Sequence, residues 1–149
     1  MGVMTSTGYT TYVCLGKPAT NDIAGFEELT WVIVNGVTSV PAFGAQRDQV
    51  SYQPLATGTT VNEHGFIQHG NLTIEGANDN QDAGQNLIRQ AVLTVGQNIS
   101  TKLVDAGGDI DYAHGKAFSK TKNPGGANSM VGTSMTIVFN DAIVPDYAA

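Results

Sequence analysis

A chain of 149 residues is the size of one compact domain and can bury roughly two thirds of its unfolded surface. Its 13 acidic and 7 basic residues give a formal net charge of −6, which opposes the counterion-release attraction behind ordinary nucleic-acid binding. Charged residues reach only 13% against roughly 25% in typical soluble proteins, a surface suited to contact with neighbouring protein, and a hydrophobic fraction of 41% excludes intrinsic disorder.

In chain order, residues 1–8 form a polar arm, and Thr10–Leu15 reads as a first strand because it is β-branched and aromatic. Cys14, the single cysteine, excludes an internal disulfide and is expected to be a buried strand residue. Residues 26–34 carry Leu29, Trp31, Val32, Ile33 and Val34, an apolar run expected to be a core strand. Asn35-Gly36 closes it as a tight turn, the clearest hairpin signal in the chain. The returning strand at residues 37–40 stops at Pro41, which has no N–H to donate. Residues 42–60 read as a long loop within which residues 49–53 alternate like a half-buried strand. Val61–Gln68 and residues 71–75 are two further strands.

The β pattern breaks at residues 80–96. Ala83, Leu87, Ile88, Ala91, Val92 and Val95 recur at helical spacing, so one amphipathic helix is expected with its apolar face on a sheet. Asp79 and Asp82 stand where N-terminal caps belong and Gly96 where a C-terminal cap belongs. Strands then follow at Ile99–Val104 and residues 110–112, with residues 117–119 as a candidate extension. Residues 116–126, ending Asn123-Pro124-Gly125-Gly126, read as a loop. A last strand at residues 130–140 places Met135, Ile137 and Phe139 on one face, and residues 141–149 are a C-terminal arm.

The patterns that carry chemistry are missing where they were sought. A calcium loop counted from Asn78 has Ala83 where it needs Gly and Arg89 where it needs Glu. His64, His69 and His114 lack zinc spacing, Ser129 lacks the flanking glycines of a nucleophile elbow, and Gly115-Lys116 lacks the rest of a phosphate loop. Asp105, Asp109 and Asp111 border Gly107-Gly108 as turn residues do. The expectation is a protein that is not an enzyme, with no cofactor and no metal. No apolar run approaches the ~20 residues of a membrane-spanning helix, so membrane insertion is not expected.

Two segments together carry a family resemblance. Residues 37–50, a short strand closing on Pro41 and a link through Gly44 into the next strand, resemble the early segment of phage tail tube proteins. Asn71-Leu72-Thr73-Ile74-Glu75-Gly76, running into residues 79–90, is similar to that family's strand followed by its single helix. The resemblance covers residues 14–140 in element order.

It implies a mostly β fold, a β-sandwich or partly closed β-barrel with one flanking helix. The chain would be the major tail tube protein of a long-tailed, siphovirus-type bacteriophage, made in the host bacterial cytoplasm and located in the virion. Its partners would be copies of itself in stacked hexameric rings, the tape-measure protein, and the tail terminator and distal tail proteins. Double-stranded DNA would pass through transiently and non-specifically. Arg47, Asp48, Lys116, Lys120 and Lys122 are the candidate contacts between subunits or rings. Three of the seven basic residues lie within residues 116–126, which makes pairing with a neighbour's carboxylates the specific expectation. Two readings stay open beside this one: the tube of a contractile tail or type VI secretion system, and a small β-sandwich binding module for carbohydrate or protein.

Overall fold

The computed structural model describes residues 7–147, so most of the N-terminal arm and the last two residues of the C-terminal arm lie outside the described residues. In chain order the elements are β1 (Thr10–Leu15), α1 (Ile23–Glu27), β2 (Val32–Val34), β3 (Val37–Ser39), β4 (Gln46–Tyr52), β5 (Val61–Gln68), β6 (Asn71–Ala77), α2 (Ala83–Leu93), β7 (Ile99–Val104), β8 (Ile110–Asn123), β9 (Gly132–Phe139) and β10 (Val144–Asp146). One large antiparallel sheet runs β2-β1-β7-β8-β9-β6-β3, with β10 on β8, and β4 and β5 pair apart from it as a two-stranded ribbon. The β-rich class with a flanking helix is as the sequence indicates, and the barrel is open rather than closed.

Alternation builds the core. Leu72 and Ile74 of β6, Met135, Ile137 and Phe139 of β9, and Val13 of β1 face inward with almost no exposure. Each large aliphatic side chain so buried contributes roughly 1.5–3 kcal/mol. Across that face lies α2, contacting β1, β2 and β8, with Ile88 and Ala91 buried beneath it. The helix is shorter than expected from both ends. It ends at Leu93, which leaves Val95 beyond the helical period and fully exposed, and Ala83 at its first position is exposed as well.

Asn35-Gly36 turns the chain, with Gly36 at φ 79°, but does not make a hairpin. β2 pairs with β1 while β3 pairs with β6, so the two residues span the first and last strands of the sheet. The sheet therefore curls until its edges nearly meet. The N-terminal end of α2 holds that seam. Asp82 caps the helix by accepting from the Gln85 N–H at 3.0 Å, and also accepts from the Asn35 backbone and side-chain nitrogens at 3.2 and 2.8 Å. Gln85 Nε2 donates to the carbonyls of Asn35 and Ala77 at 3.0 and 2.9 Å. Gly84 is needed here because a Cβ would strike the Ile33 carbonyl and Val34.

Other expectations shift for local reasons. The apolar run at residues 26–34 is strand only from Val32. Upstream of it the one-turn helix α1, capped by Asp22 at 2.8 Å from the Gly25 nitrogen, swings Phe26 onto the outer face of the sheet. Phe26 stacks on Tyr112 at 5.1 Å and on Trp31 at 6.5 Å, a second apolar cluster outside the main core. Residues 116–123 are strand and not loop, because β9 offers a full ladder of partners that their lysines do not disturb. Part of the C-terminal arm is tied down by its own chain, β10 pairing with β8 at residues 110–112. No helix among the described residues is long and apolar enough to cross a membrane.

Candidate assembly surfaces

The ribbon of β4 and β5 is the most unusual surface of the molecule. The segment expected to be a loop at residues 42–60 is largely one strand of it. Register places Val50 opposite Glu63 and Tyr52 opposite Val61 on one face, with Gln49 opposite His64 and Ser51 opposite Asn62 on the other. The polar face is internally bonded, Asn62 Oδ1 accepting from Gln49 Nε2 at 2.8 Å and from Ser51 Oγ at 3.0 Å. Its opposite face carries Glu63 beside two uncovered large side chains, Val50 and Tyr52, each 53% exposed. Phe66 is 86% exposed beside the bulge, where Gly65 and Phe66 together oppose Asp48. A half-buried strand was expected at residues 49–53, yet neither face is covered by other described residues. A two-stranded hairpin is marginal by itself in water, so this one draws little stability from its own packing.

Arg47 and Asp48 lie on this ribbon, both exposed, with Arg47 Nη1 3.5 Å from the Gly65 carbonyl. The three lysines are not gathered into a loop but spread along β8. Lys116 donates to the Gly96 carbonyl at 3.2 Å and Asn98 Oδ1 at 3.1 Å. Lys120 donates to Asn78 Oδ1 at 2.9 Å and Thr133 Oγ1 at 2.8 Å, and burial lowers its pKa, with Arg89 and Lys122 adding to the effect. Lys122 is exposed.

The cap residues separate in role. Asp82 is the N-cap, whereas Asp79 accepts from the Gln81 N–H at 2.9 Å in the turn before it. Gly96, at φ 80°, lies beyond the helix end, and its carbonyl receives Lys116.

The carboxylate cluster is a turn and a tie. Asp105 Oδ1 accepts from the N–H groups of Gly107 and Asp109 at 2.9 and 3.0 Å. Asp111 accepts from the Tyr147 hydroxyl at 2.8 Å, and burial raises its pKa against that bond. Tyr9 is pushed up to about 12 by burial, with Asp111 and Asp105 adding. His114 Nε2 lies 3.6 Å from Asp141 Oδ2 and its ring 6.2 Å from that of Phe26, while His64 is on the ribbon. Among the described residues no group of three or more His, Cys, Asp or Glu side chains is placed to hold a metal ion. Cys14 is half-buried on the outer face of β1, and burial raises its thiol pKa.

Trp31 offers no free aromatic platform. It stacks beside Phe26, and the Lys102 ammonium lies 5.9 Å from its ring and 4.9 Å from that of Tyr12. An open groove of about 460 Å³ runs along β3 and the link after it, past Val37, Val40, Pro41 and Phe43. Sequence reasoning missed Phe66 and the bare Val50–Tyr52 face. The signal was present in β5, whose Asn62, Glu63 and His64 leave no alternating apolar row to bury.

No family model matches the chain, and no curated protein matches it in sequence. Solved structures do. The SPP1 tail tube superposes with a TM-score of 0.65 at 14% identity, covering 94% of this chain and 77% of that one. The tail of an empty GTA particle, determined with C6 symmetry, gives 0.66 at 12% identity, covering 99% and 100%. A chain of the six-fold symmetrised anti-feeding prophage baseplate gives 0.70 at 8% identity, covering 98% and 97%. The chain thus has the β-rich fold found in these symmetric tail and baseplate structures. More narrowly, the fold is that of tail tube proteins.

Proposed function

We propose that this chain is a structural virion protein that polymerises as stacked hexameric rings into a phage tail tube. The observation that carries the reading is the ribbon. Its exposed Val50, Tyr52 and Phe66 have no partner surface within the described residues, and a second copy of the chain supplies one when rings stack. The tail-tube fold and the six-fold and C6 assemblies of the similar structures support the same conclusion. Such a tube encloses the tape-measure protein, ends on terminator and distal tail proteins, and conducts double-stranded DNA. The role is architectural rather than catalytic. Arg47, Asp48 and Lys122 remain candidates for contacts between subunits, whereas Lys116 and Lys120 spend their ammonium groups on their own chain.

The similarity to a chain of the sheath-tube complex of an extracellular contractile injection system, with a TM-score of 0.58 at 16% identity, favours one second reading, the tube of a contractile machine. Co-purification of a sheath protein with the assembled tube would select it.

Electron microscopy of concentrated protein provides the test. Gly44 and Gly70 are in backbone contact, so residues 45–69 can be excised and replaced by a short glycine bridge. Wild-type protein is expected to form rings or tubes, and the ribbonless body to melt cooperatively without forming either. A wild-type chain that stays monomeric at every concentration overturns the reading, and a ribbonless one that still builds tubes overturns the ribbon's part in it.

A further inference from the structure

β8 passes through two surroundings, and the change falls on one residue. Ala117 pairs with Ile137 and Ser119 with Thr136, so Phe118 is an extra residue, 64% exposed. Such a bulge moves the alternation of every later side chain to the other face. Before it, Ala113, Gly115 and Ala117 face the core. After it, Lys120 stands opposite buried Met135 and Lys122 opposite buried Thr133, so both lysines are on the core side. Lys120 is held there by Asn78 and Thr133. Without the extra residue, Lys116, Lys120 and Lys122 would share the outer face.

What the outer face carries instead is a set of cross-strand rows over β6, β9 and β8. Thr73, Thr136 and Ser119 form one row, and Glu75, Ser134 and Thr121 the next. These side chains are half-buried or exposed, and no helix among the described residues packs over them, unlike the part of the sheet covered by α1 and Phe26. Among the described residues Lys116 is the one cation adjoining these rows, and its ammonium is already bonded at Gly96 and Asn98.

We propose that this hydroxyl-rich β6–β9–β8 face is the inner lining past which a double-stranded polyanion travels, and that the Phe118 bulge keeps lysines off it. The proposal rests on the tube reading. In a symmetric ring every lysine on a lining is repeated, and each phosphate so neutralised adds to a salt-dependent grip on the cargo. Hydroxyl groups supply no such charge. One carboxylate per subunit, that of Glu75, leaves the surface mildly repulsive, in keeping with the net charge of −6.

Two paired substitutions, Ser119→Lys with Thr121→Lys and, at more exposed positions, Thr121→Lys with Asn123→Lys, restore cations to the face without touching the bulge. Gln90→Lys with Thr94→Lys, on the exposed side of α2, adds the same charge elsewhere. Each protein is assembled into tubes, verified by electron microscopy, and mixed with a DNA duplex of about 20 base pairs at ~0.15 M salt before nuclease digestion. Face variants are expected to retain about tenfold more nuclease-resistant duplex than wild type or the α2 variant, with the excess lost as salt rises. If tubes form and neither face variant exceeds the α2 variant, the lining assignment is overturned while the tube reading stands. If wild type forms no tubes, both fall.

Discussion

β5 and β6 are neighbours in the chain, separated only by His69 and Gly70 and nearly equal in length, yet they have opposite fates. β6 lies between β9 and β3 and buries Leu72 and Ile74 completely, whereas β5 pairs with β4 alone and buries nothing. β6 sets its apolar residues two apart, so one face can be covered. β5 spreads Val61, Phe66 and Ile67 across a bulge, so neither face can be. The body holds its shape by its own packing, and the ribbon leaves Val50, Tyr52 and Phe66 uncovered by the described residues.

The sharpest way to break this comparison is to truncate one apolar side chain in each region. Ile137→Ala, at a fully buried site of β9, is expected to cost about 2–5 kcal/mol through lost burial and a residual cavity, read as a large drop in melting temperature. Phe66→Ala on the ribbon is expected to change stability by no more than about 0.5 kcal/mol, yet to abolish or shorten tubes in electron micrographs. Equal melting losses in the two variants would mean that the ribbon belongs to the folded body.

A smaller effect is expected at the seam. Asp82→Ala removes the α2 cap and leaves the Asn35 N–H without its acceptor, costing about 2 kcal/mol in denaturant unfolding. Asp79→Ala, which loses a bond in an exposed turn, is expected to cost well under half of that. A reversal of that order would show that the seam is not held by the helix N-terminus.

Much of this division was legible in the sequence, and what was not has identifiable causes. The alternation of Met135, Ile137 and Phe139 marked β9 correctly because both neighbours of that strand come from the same sheet. The i, i+3, i+4 spacing marked α2, though Val95 was counted in because spacing cannot show where a helix stops. Asn35-Gly36 announced a turn but not which edges it would join, since the partners of the two flanking strands, β1 and β6, lie far away in the chain. The lysines of β8 suggested a loop because charge and nearby Gly and Pro are loop signals, while the strand that satisfies their backbone lies ten or more residues downstream. Of the expected contact residues, Arg47, Asp48 and Lys122 fall on exposed surface. Lys116 and Lys120 do not stay free, because the partners at Gly96, Asn98, Asn78 and Thr133 come together only in the fold.

Within the body, Thr11 sharpens the contrast from the opposite side. Its Oγ1 is buried and has no hydrogen-bond partner among the described residues, with Val34 and Leu103 as its cross-strand neighbours. Thr11→Val keeps the β-branched shape and removes the unsatisfied hydroxyl, so it is expected to be stabilising by about 1 kcal/mol in thermal melts. Destabilisation would indicate that the hydroxyl is satisfied after all.

The smallest expected effect is a pH dependence where the C-terminal segment meets the body. Burial lowers the pKa of His114, the Asp141 carboxylate opposes that shift, and Lys17 adds to it. A histidine held below its ordinary value is neutral in the folded chain, while the unfolded chain takes up a proton first. Stability is therefore full above the unfolded value of about 6.5 and declines as pH falls below it. His114→Gln is expected to flatten the decline in melting temperature between pH 7 and pH 5, since glutamine has no charge to gain. Asp141→Asn should steepen it, because the imidazolium loses the one carboxylate placed 3.6 Å away to stabilise it. His64→Gln on the exposed ribbon is the matching control for a histidine outside the packed body. If His114→Gln melts with the wild-type slope, the acid sensitivity lies elsewhere, and the packing of His114 against Phe26 has no part in holding residues 140–146 to β8.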